Sequence, residues 1–173
     1  WLTAPLGAGS TGYLMGTVVV LSLISMAPCW AAYRWADQEM EGIAVVLAAL
    51  APAVWVELVY FSPKAFFEVF TAHIVAVALY LSRFSNGSRW RPWVGGMLLG
   101  LCGGMRLQLI PAVAVGVCIA SWVADDPYRR FTLLTTGAAA GLGSVGVVDL
   151  LVWGVPFQSD VANYYVNLVE GRG

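Results

Sequence analysis

Charged residues are scarce in this chain of 173 amino acids: they make up 11% of the sequence, against 60% for apolar residues. An ordinary soluble domain carries about 25% charged residues. A soluble fold of this length would need a polar surface that this composition does not supply, so a soluble globular protein is not expected. Because the formal net charge is −1, there is also no excess of basic residues to bind a phosphate backbone, and no nucleic-acid partner is expected.

Metal ligands and nucleotide-binding motifs are also missing from the sequence. There is a single histidine and no constellation of residues with metal-ligand spacing, so no metal site is predicted. No glycine-rich loop leads into a lysine, and no cofactor is predicted. The three cysteines, Cys29, Cys102 and Cys118, lie inside apolar stretches without metal-ligand spacing, and we interpret them as small packing residues.

What the chain does contain is a series of apolar stretches of about twenty residues, the length at which a helix crosses a hydrocarbon core of about 30 Å. Lipid offers the backbone no hydrogen-bond partner, so each stretch must be helical. We therefore predict an all-α, polytopic transmembrane helix bundle of about five to six membrane segments. Four segments are expected at about 12–33, 42–61, 65–81 and 131–153, and a longer apolar stretch covers 93–123.

The stretch 93–123 is too long for one simple span, too short for two full spans, and holds Arg106 near its middle. Either one long tilted helix buries Arg106 in the membrane, or two short helices form a hairpin with Arg106 at the bend. Glycines at 100, 103 and 104 and a proline at 111 favour the hairpin. The hairpin also keeps a charge away from the bilayer centre, where it would cost about 2.5–3.5 kcal/mol on insertion scales.

The distribution of positive charge supports the hairpin, because cytoplasmic loops collect arginine and lysine. The hairpin predicts that Lys64, Arg106 and the tail 154–173 share the extracytoplasmic side. The chain has one lysine against eight arginines, a usage typical of a GC-rich bacterial genome, and it is expected in a bacterial inner membrane. The arginines then predicted on the cytoplasmic side are Arg34, Arg83, Arg89, Arg91, Arg129 and Arg130.

Ionisable residues inside membrane segments are candidate functional residues, because each is costly there. Arg106 is the strongest candidate, since a guanidinium at a membrane boundary can bind a phosphate through two parallel hydrogen bonds; the alternative is a structural salt bridge. Lys64 could add a second phosphate contact, and Glu57 and Glu68 flank the turn that contains it, where they could bind a sugar hydroxyl or form a structural ion pair. His73 is interpreted as a core residue whose hydrogen bonds are satisfied, and Asp149 as a packing or capping residue.

Three motifs, in order along the chain, resemble the Alg9-like or GPI-mannosyltransferase-like membrane glycosyltransferases. The first runs from Lys64 through Glu68 into a span that ends at Leu81. The second is a glycine-rich helix from Gly100 that ends at Arg106, Leu107 and Gln108, close to Pro111. The third comprises Trp153, Gly154, Pro156 and Phe157, followed by Asn163, Tyr164, Asn167 and Gly171.

This resemblance implies a GT-C fold with its active site on the extracytoplasmic side. It implies inverting transfer of a sugar, commonly mannose, from a polyprenyl-phosphate donor. The expected partners of the protein are therefore this donor and membrane lipid. It also implies that the catalytic base lies in a loop before Trp1, so the chain is expected to be a fragment, one transmembrane domain over 1–173, and inactive by itself. The substrate-binding residues are then expected to be Arg106, Gln108, Lys64, Glu68, Glu57 and Asn167.

Two other functions fit the same features. Broken helices with buried charge are also typical of transporters, in which Arg106, Glu57 and Glu68 would line a substrate path. A non-catalytic membrane subunit would instead tolerate neutral substitutions at these three positions.

Overall fold

A computed structural model describes residues 11–55, 67–84 and 87–165, and all regular structure in these ranges is helical. The expected all-α class is therefore confirmed for this part of the chain. A 3₁₀ turn at Leu107–Leu109 separates two of the helices. The α-helices are α1 (Thr11–Ile24), α2 (Met26–Glu39), α3 (Ile43–Val54), α4 (Phe67–Arg83), α5 (Trp90–Met105), α6 (Ile110–Trp122), α7 (Pro127–Trp153) and α8 (Gln158–Tyr164).

Two helical stretches are long and apolar enough to cross a membrane, Leu14–Glu39 and Pro127–Trp153. The apolar helices at Ile43–Val54, Val69–Arg83 and Leu107–Trp122 are shorter. Length and composition thus support two candidate spans in the described ranges, and the count of five to six membrane segments stays a prediction.

The break between α1 and α2 at Ser25 is explained by Pro28. Proline has no backbone N–H to donate to the carbonyl four residues earlier, and its ring crowds that carbonyl, which here belongs to Ile24. Helix α1 accordingly ends at Ile24, while α2 continues to Glu39. The charged residues from Arg34 to Glu39, interpreted from the sequence as part of a loop, are the last turns of a helix.

The chain divides into two compact units, residues 1–80 and 81–173. In the first unit α2 packs against α3. Tyr80, near the end of α4, is 2% exposed and meets the ring of Trp30 edge to face at 5.3 Å between centroids. Its hydroxyl accepts a hydrogen bond from Nε2 of Gln38 at 3.4 Å. These two contacts join α2 to the C-terminal half of α4.

In the second unit α5 and α7 run parallel in close contact. A Cβ atom placed on Gly96 would meet the backbone of Leu134, and one on Gly100 would meet the backbone of Ala138. The contacted residue moves from Leu134 to Ala138 as the glycine moves from Gly96 to Gly100, so the two helices run in the same direction. Glycine permits this approach because it has no side chain to separate the two backbones.

Helix α6 folds back against α5 and also contacts α7. A Cβ atom on Gly103 would lie 3.4 Å from the Ile110 side chain and 4.0 Å from that of Val113. A straight helix would place residues 103 and 113 about 15 Å apart at 1.5 Å rise per residue. The predicted helical hairpin across 93–123, with Arg106 at its bend, is therefore present.

The chain also folds back after α7. Gly154 ends that helix in the left-handed conformation (φ 76°), which glycine adopts without a steric penalty, and its N–H donates to the Leu150 carbonyl at 3.0 Å. The ring of Phe157 then covers Gly146, where an added Cβ would come within 2.6 Å of the ring. The turn at 154–157 thus places α8 beside the last turns of α7.

Candidate functional site at the Arg106 helix break

Arg106 occupies the point where α5 stops and the 3₁₀ turn begins. Its backbone is extended (φ −149°, ψ 99°), and its N–H still donates to the Cys102 carbonyl at 3.1 Å. Its own carbonyl accepts from the N–H of Leu109 at 2.9 Å. Pro111 explains the interruption, because it cannot donate to the carbonyl of Leu107 and so prevents one continuous helix. The side chain of Arg106 is half-buried.

Gln108 lies two residues after Arg106 in the same turn and is exposed. The structure therefore places a guanidinium and a primary amide together at one helix break. Both groups offer N–H donors, which suit the oxygens of a phosphate or a sugar. No group of three or more histidine, cysteine or acidic side chains in the described ranges could hold a metal ion.

The turn after α7 lies at the same end of the second unit as Arg106. An added Cβ on Gly104, two residues before Arg106, would contact the Val145 side chain, and the neighbouring Gly146 is covered by Phe157. Arg106 and the part of the tail that the structure describes, 154–165, thus share one end, as the hairpin predicts. Lys64, predicted at this end too, lies outside the described residues.

Asp149 connects α7 to α8 at this end. It is 6% exposed, and its Oδ2 accepts hydrogen bonds from the backbone N–H of Ser159 at 2.8 Å and from the Ser159 hydroxyl. A buried carboxylate needs such donors, since leaving it unpaired would be costly. The interpretation of Asp149 as a capping residue agrees with this geometry.

Asp160, in α8, is a second acidic residue near Asp149, and it was not predicted from the sequence as a site residue. Its Oδ2 atom is buried without a hydrogen-bond partner. Burial, and then the nearby negative charge of Asp149, raise the pKa of the Asp160 carboxyl above its ordinary value. The eleven-residue separation of the two carboxyl groups gave no sequence signal, because the reversal at 154–157 brings them together.

The opposite end of the second unit is rich in arginine. The Arg130 guanidinium donates from Nη1 to the carbonyls of Ser82 and Arg83, the latter at 3.2 Å. A cavity of about 170 Å³ opens beside it. Helix α5 has 16 residues, so this end lies about 24 Å from Arg106 at 1.5 Å rise per residue. Within this unit the structure places Arg83, Arg89, Arg91, Arg129 and Arg130 at this end, and their location on the cytoplasmic side stays a prediction.

The remaining predicted site residues are not placed by the structure. Glu57, Lys64 and Asn167 lie outside the described residues, and Glu68 is in the first turn of α4 with its side chain outside the described set. Of the six predicted substrate-binding residues, the structure therefore brings together Arg106 and Gln108, and the roles of the other four stay predictions.

No protein-family model, curated protein or solved structure matches this chain significantly. The relation to the GPI-mannosyltransferase-like enzymes thus rests on the three sequence motifs alone.

Proposed function

We propose that this chain is an integral membrane protein of the bacterial inner membrane and part of a GT-C-like glycosyltransferase. In this proposal the enzyme transfers a sugar, mannose in the first instance, from a polyprenyl-phosphate donor to an acceptor at the extracytoplasmic face. The membrane location, the donor and the chemistry are supported by different observations.

The membrane location is supported by the exposure of the two long apolar helices. Only 11% of the apolar window in Leu14–Glu39 and 22% of that in Pro127–Trp153 is buried inside the protein. The core helix of a soluble protein would be mostly buried, whereas these helices present leucine, valine and tryptophan side chains outward, such as Leu151 at 80% exposure. Apolar surface of this extent is suited to lipid.

The observation that supports the donor is the position of Arg106. It is a half-buried cation at a helix break, at the end of the second unit opposite the arginine-rich end. If the arginine-rich end is cytoplasmic, as the positive-inside rule indicates, Arg106 lies near the extracytoplasmic boundary. The phosphate of a membrane-anchored donor would lie at the same depth.

The proposed chemistry assigns Arg106 to the leaving group. The bond between the sugar C1 and the phosphate oxygen breaks, the phosphate keeps the electron pair, and the acceptor oxygen bonds to C1 from the opposite face. Negative charge grows on the phosphate in this step, and a fixed guanidinium stabilises it. The exposed Gln108 amide can donate to an oxygen of the same donor. A general base must take the acceptor proton, and we assign that role to none of the described residues.

The test is transfer of radiolabelled mannose from polyprenyl-phosphate-mannose to endogenous acceptors, in membranes that contain the full-length protein. We expect Arg106→Ala to lose at least 100-fold in turnover, about 2.7 kcal/mol of lost stabilisation of the leaving group. Arg106→Lys keeps the charge without the two-pronged geometry and should lie between Arg106→Ala and wild type. Arg89→Ala, which removes an exposed arginine at the opposite end, is the matched control and should transfer normally.

Near wild-type transfer by Arg106→Ala, at equal protein level, would refute the role of Arg106. Absence of transfer from any polyprenyl-phosphate sugar would refute the glycosyltransferase proposal. Substrate uptake into liposomes without a lipid-linked sugar would then favour the transporter alternative.

A further inference from the structure

An apolar groove lies in the first compact unit between α2, α3 and α4. Its volume is about 410 Å³, within the range of about 300–1,000 Å³ that is usual for ligand sites. Small side chains make the space: alanines at 31, 32, 48, 51, 72 and 76 line it, with Pro28 and Pro52. Trp35, Trp55 and Leu79 complete the apolar wall, and His73 is the remaining lining residue.

His73 has no hydrogen-bond partner in this groove. The residue is 2% exposed, and both ring nitrogens, Nδ1 and Nε2, are buried without a hydrogen-bond partner among the residues that the structure describes. Leaving a buried donor or acceptor unsatisfied is unfavourable, because the group loses its hydrogen bonds to water and gains none in return. A histidine with both nitrogens unpaired in the wall of a groove therefore indicates a polar partner that enters the groove.

We propose that this groove binds a neutral lipid that has a single hydroxyl group, with the hydroxyl paired to His73. A neutral imidazole offers one donor and one acceptor, and a hydroxyl can pair with either. The rest of the ligand is hydrocarbon, because every other lining residue is apolar apart from the two indole N–H groups. This inference rests on the proposed membrane location and does not depend on sugar transfer.

The lack of charged side chains in the lining indicates that the ligand is not charged. None of the twelve is lysine, arginine, aspartate or glutamate, so a phosphate headgroup placed here would lack a counter-charge. This separates the groove from Arg106, where we place the phosphate of a sugar donor.

The position of His73 along α4 indicates a ligand that comes from the bilayer. His73 is six residues from the first residue of α4 and ten from the last, so its Cα lies about 9 Å and 15 Å from the two helix ends at 1.5 Å rise per residue. With α4 in the membrane, as the proposed membrane location has it, a water-soluble ligand would have to cross hydrocarbon to reach this position. A lipid reaches it by lateral diffusion.

Binding requires a small motion of the imidazole. Protein atoms cover both ring nitrogens of His73, and rotation about the Cβ–Cγ bond would turn one of them towards the ligand. This torsion is broad in histidine. The ligand hydroxyl would then replace an unsatisfied contact by a hydrogen bond.

The single histidine of the chain makes the test specific. The protein is reconstituted in lipid nanodiscs at pH 8, where an unperturbed imidazole is neutral, with ¹⁵N-labelled histidine. Dodecanol is then titrated, with dodecane and dodecyl phosphate as separate probes. We expect dodecanol to shift one ring-nitrogen resonance saturably, by several ppm, and dodecane to leave both resonances unchanged.

Two variants that each introduce a phenylalanine test whether the dodecanol shift arises in the groove. Ala76→Phe fills the groove and should abolish the dodecanol shift, whereas Val46→Phe, on an exposed position of α3 outside the groove, should preserve it. The proposal is overturned if dodecanol produces no saturable shift, if dodecane produces an equal one, or if the shift survives in Ala76→Phe. A stronger response to dodecyl phosphate than to dodecanol would overturn the assignment to a neutral lipid.

Discussion

Gly100 of α5 lies directly against the main chain of Ala138 in α7, where a Cβ atom added to Gly100 would come within 1.9 Å of the Ala138 carbonyl oxygen. The contact is reciprocal along the pair of helices, because added Cβ atoms on Gly137 and Gly141 would meet the carbonyls of Trp93 and Met97. Glycines four residues apart on both helices therefore set the distance between the two backbones.

We expect Gly100→Ala to separate α5 from α7. The new methyl group would meet a carbonyl of the backbone, which cannot rotate away as a side chain would, so the helices must move apart. Overpacking of this kind costs about 1–3 kcal/mol, and Gly100→Val should cost more. Resistance to SDS-induced unfolding, followed by tryptophan fluorescence in mixed micelles, measures the change.

Gly143→Ala provides the matched control on α7. An added Cβ at Gly143 has no atom within 4 Å, and alanine stabilises a helix interior by about 1 kcal/mol relative to glycine. This variant should therefore be as stable as wild type or slightly more stable. Equal stability loss at Gly100 and Gly143 would contradict the close contact.

Arg130 is expected to fix the end of α4 to the start of α7, because its guanidinium donates to the carbonyls of Ser82 and Arg83. Arg130→Met removes these donors but keeps most of the apolar stem. Hydrogen bonds from a charged group contribute about 1.5–3 kcal/mol, so the variant should unfold more readily in the same assay. Arg129→Met, at the adjacent exposed position, should change stability by less than about 0.5 kcal/mol.

The Asp160 carboxyl should titrate above its ordinary value of 3.8, because burial and the Asp149 charge disfavour its ionised form. ¹³C NMR of labelled aspartate measures this pKa. Asp149→Asn keeps an oxygen that can accept from Ser159 while it removes the charge, and it should lower the Asp160 pKa towards 3.8. An Asp160 pKa at or below 3.8 in wild type would contradict the burial of this group.

The same shift predicts the direction of the pH effect on stability. Between 3.8 and the raised pKa the folded state holds a proton that the unfolded state has released, so stability falls as pH rises through this window and then levels off. Asp160→Asn should remove this fall. Its stabilising effect relative to wild type should therefore appear at neutral pH and vanish below about pH 3.8, the unperturbed value.

Several features of the second unit follow from local sequence. Gly87 and Gly154 have positive φ, a backbone conformation that glycine adopts without a steric penalty. The break at Arg106 follows from Pro111 and the glycines before it. In each case a residue within a few positions determines the backbone, so sequence alone is sufficient to locate the feature.

Other features depend on contacts between residues that are distant in the chain, and the local sequence did not predict them. The unpaired state of His73 depends on what α2 and α3 place around it, and the Asp149–Asp160 pair depends on the chain reversal between them. Likewise, the glycines of α5 favoured a helix break in the sequence, but the helix that packs against them and its parallel direction are visible only in the folded chain.

The orientation of the hairpin in a membrane can be measured directly. We expect Gln108→Cys and Tyr128→Cys, in a background without the native cysteines, to react with a membrane-impermeant maleimide from opposite sides of sealed vesicles. Both positions are exposed in the structure, and they lie at opposite ends of the second unit. The positive-inside rule places Tyr128, next to Arg129 and Arg130, on the cytoplasmic side.

The competing arrangement gives a different result. One tilted span over 93–123 would bury position 108 in hydrocarbon, where a maleimide reacts slowly because the thiolate is disfavoured. Gln108→Cys would then be labelled from neither side until detergent is added. Labelling of both positions from the same side would contradict the membrane-spanning hairpin as well, since α5 and α6 would then not reach across the bilayer.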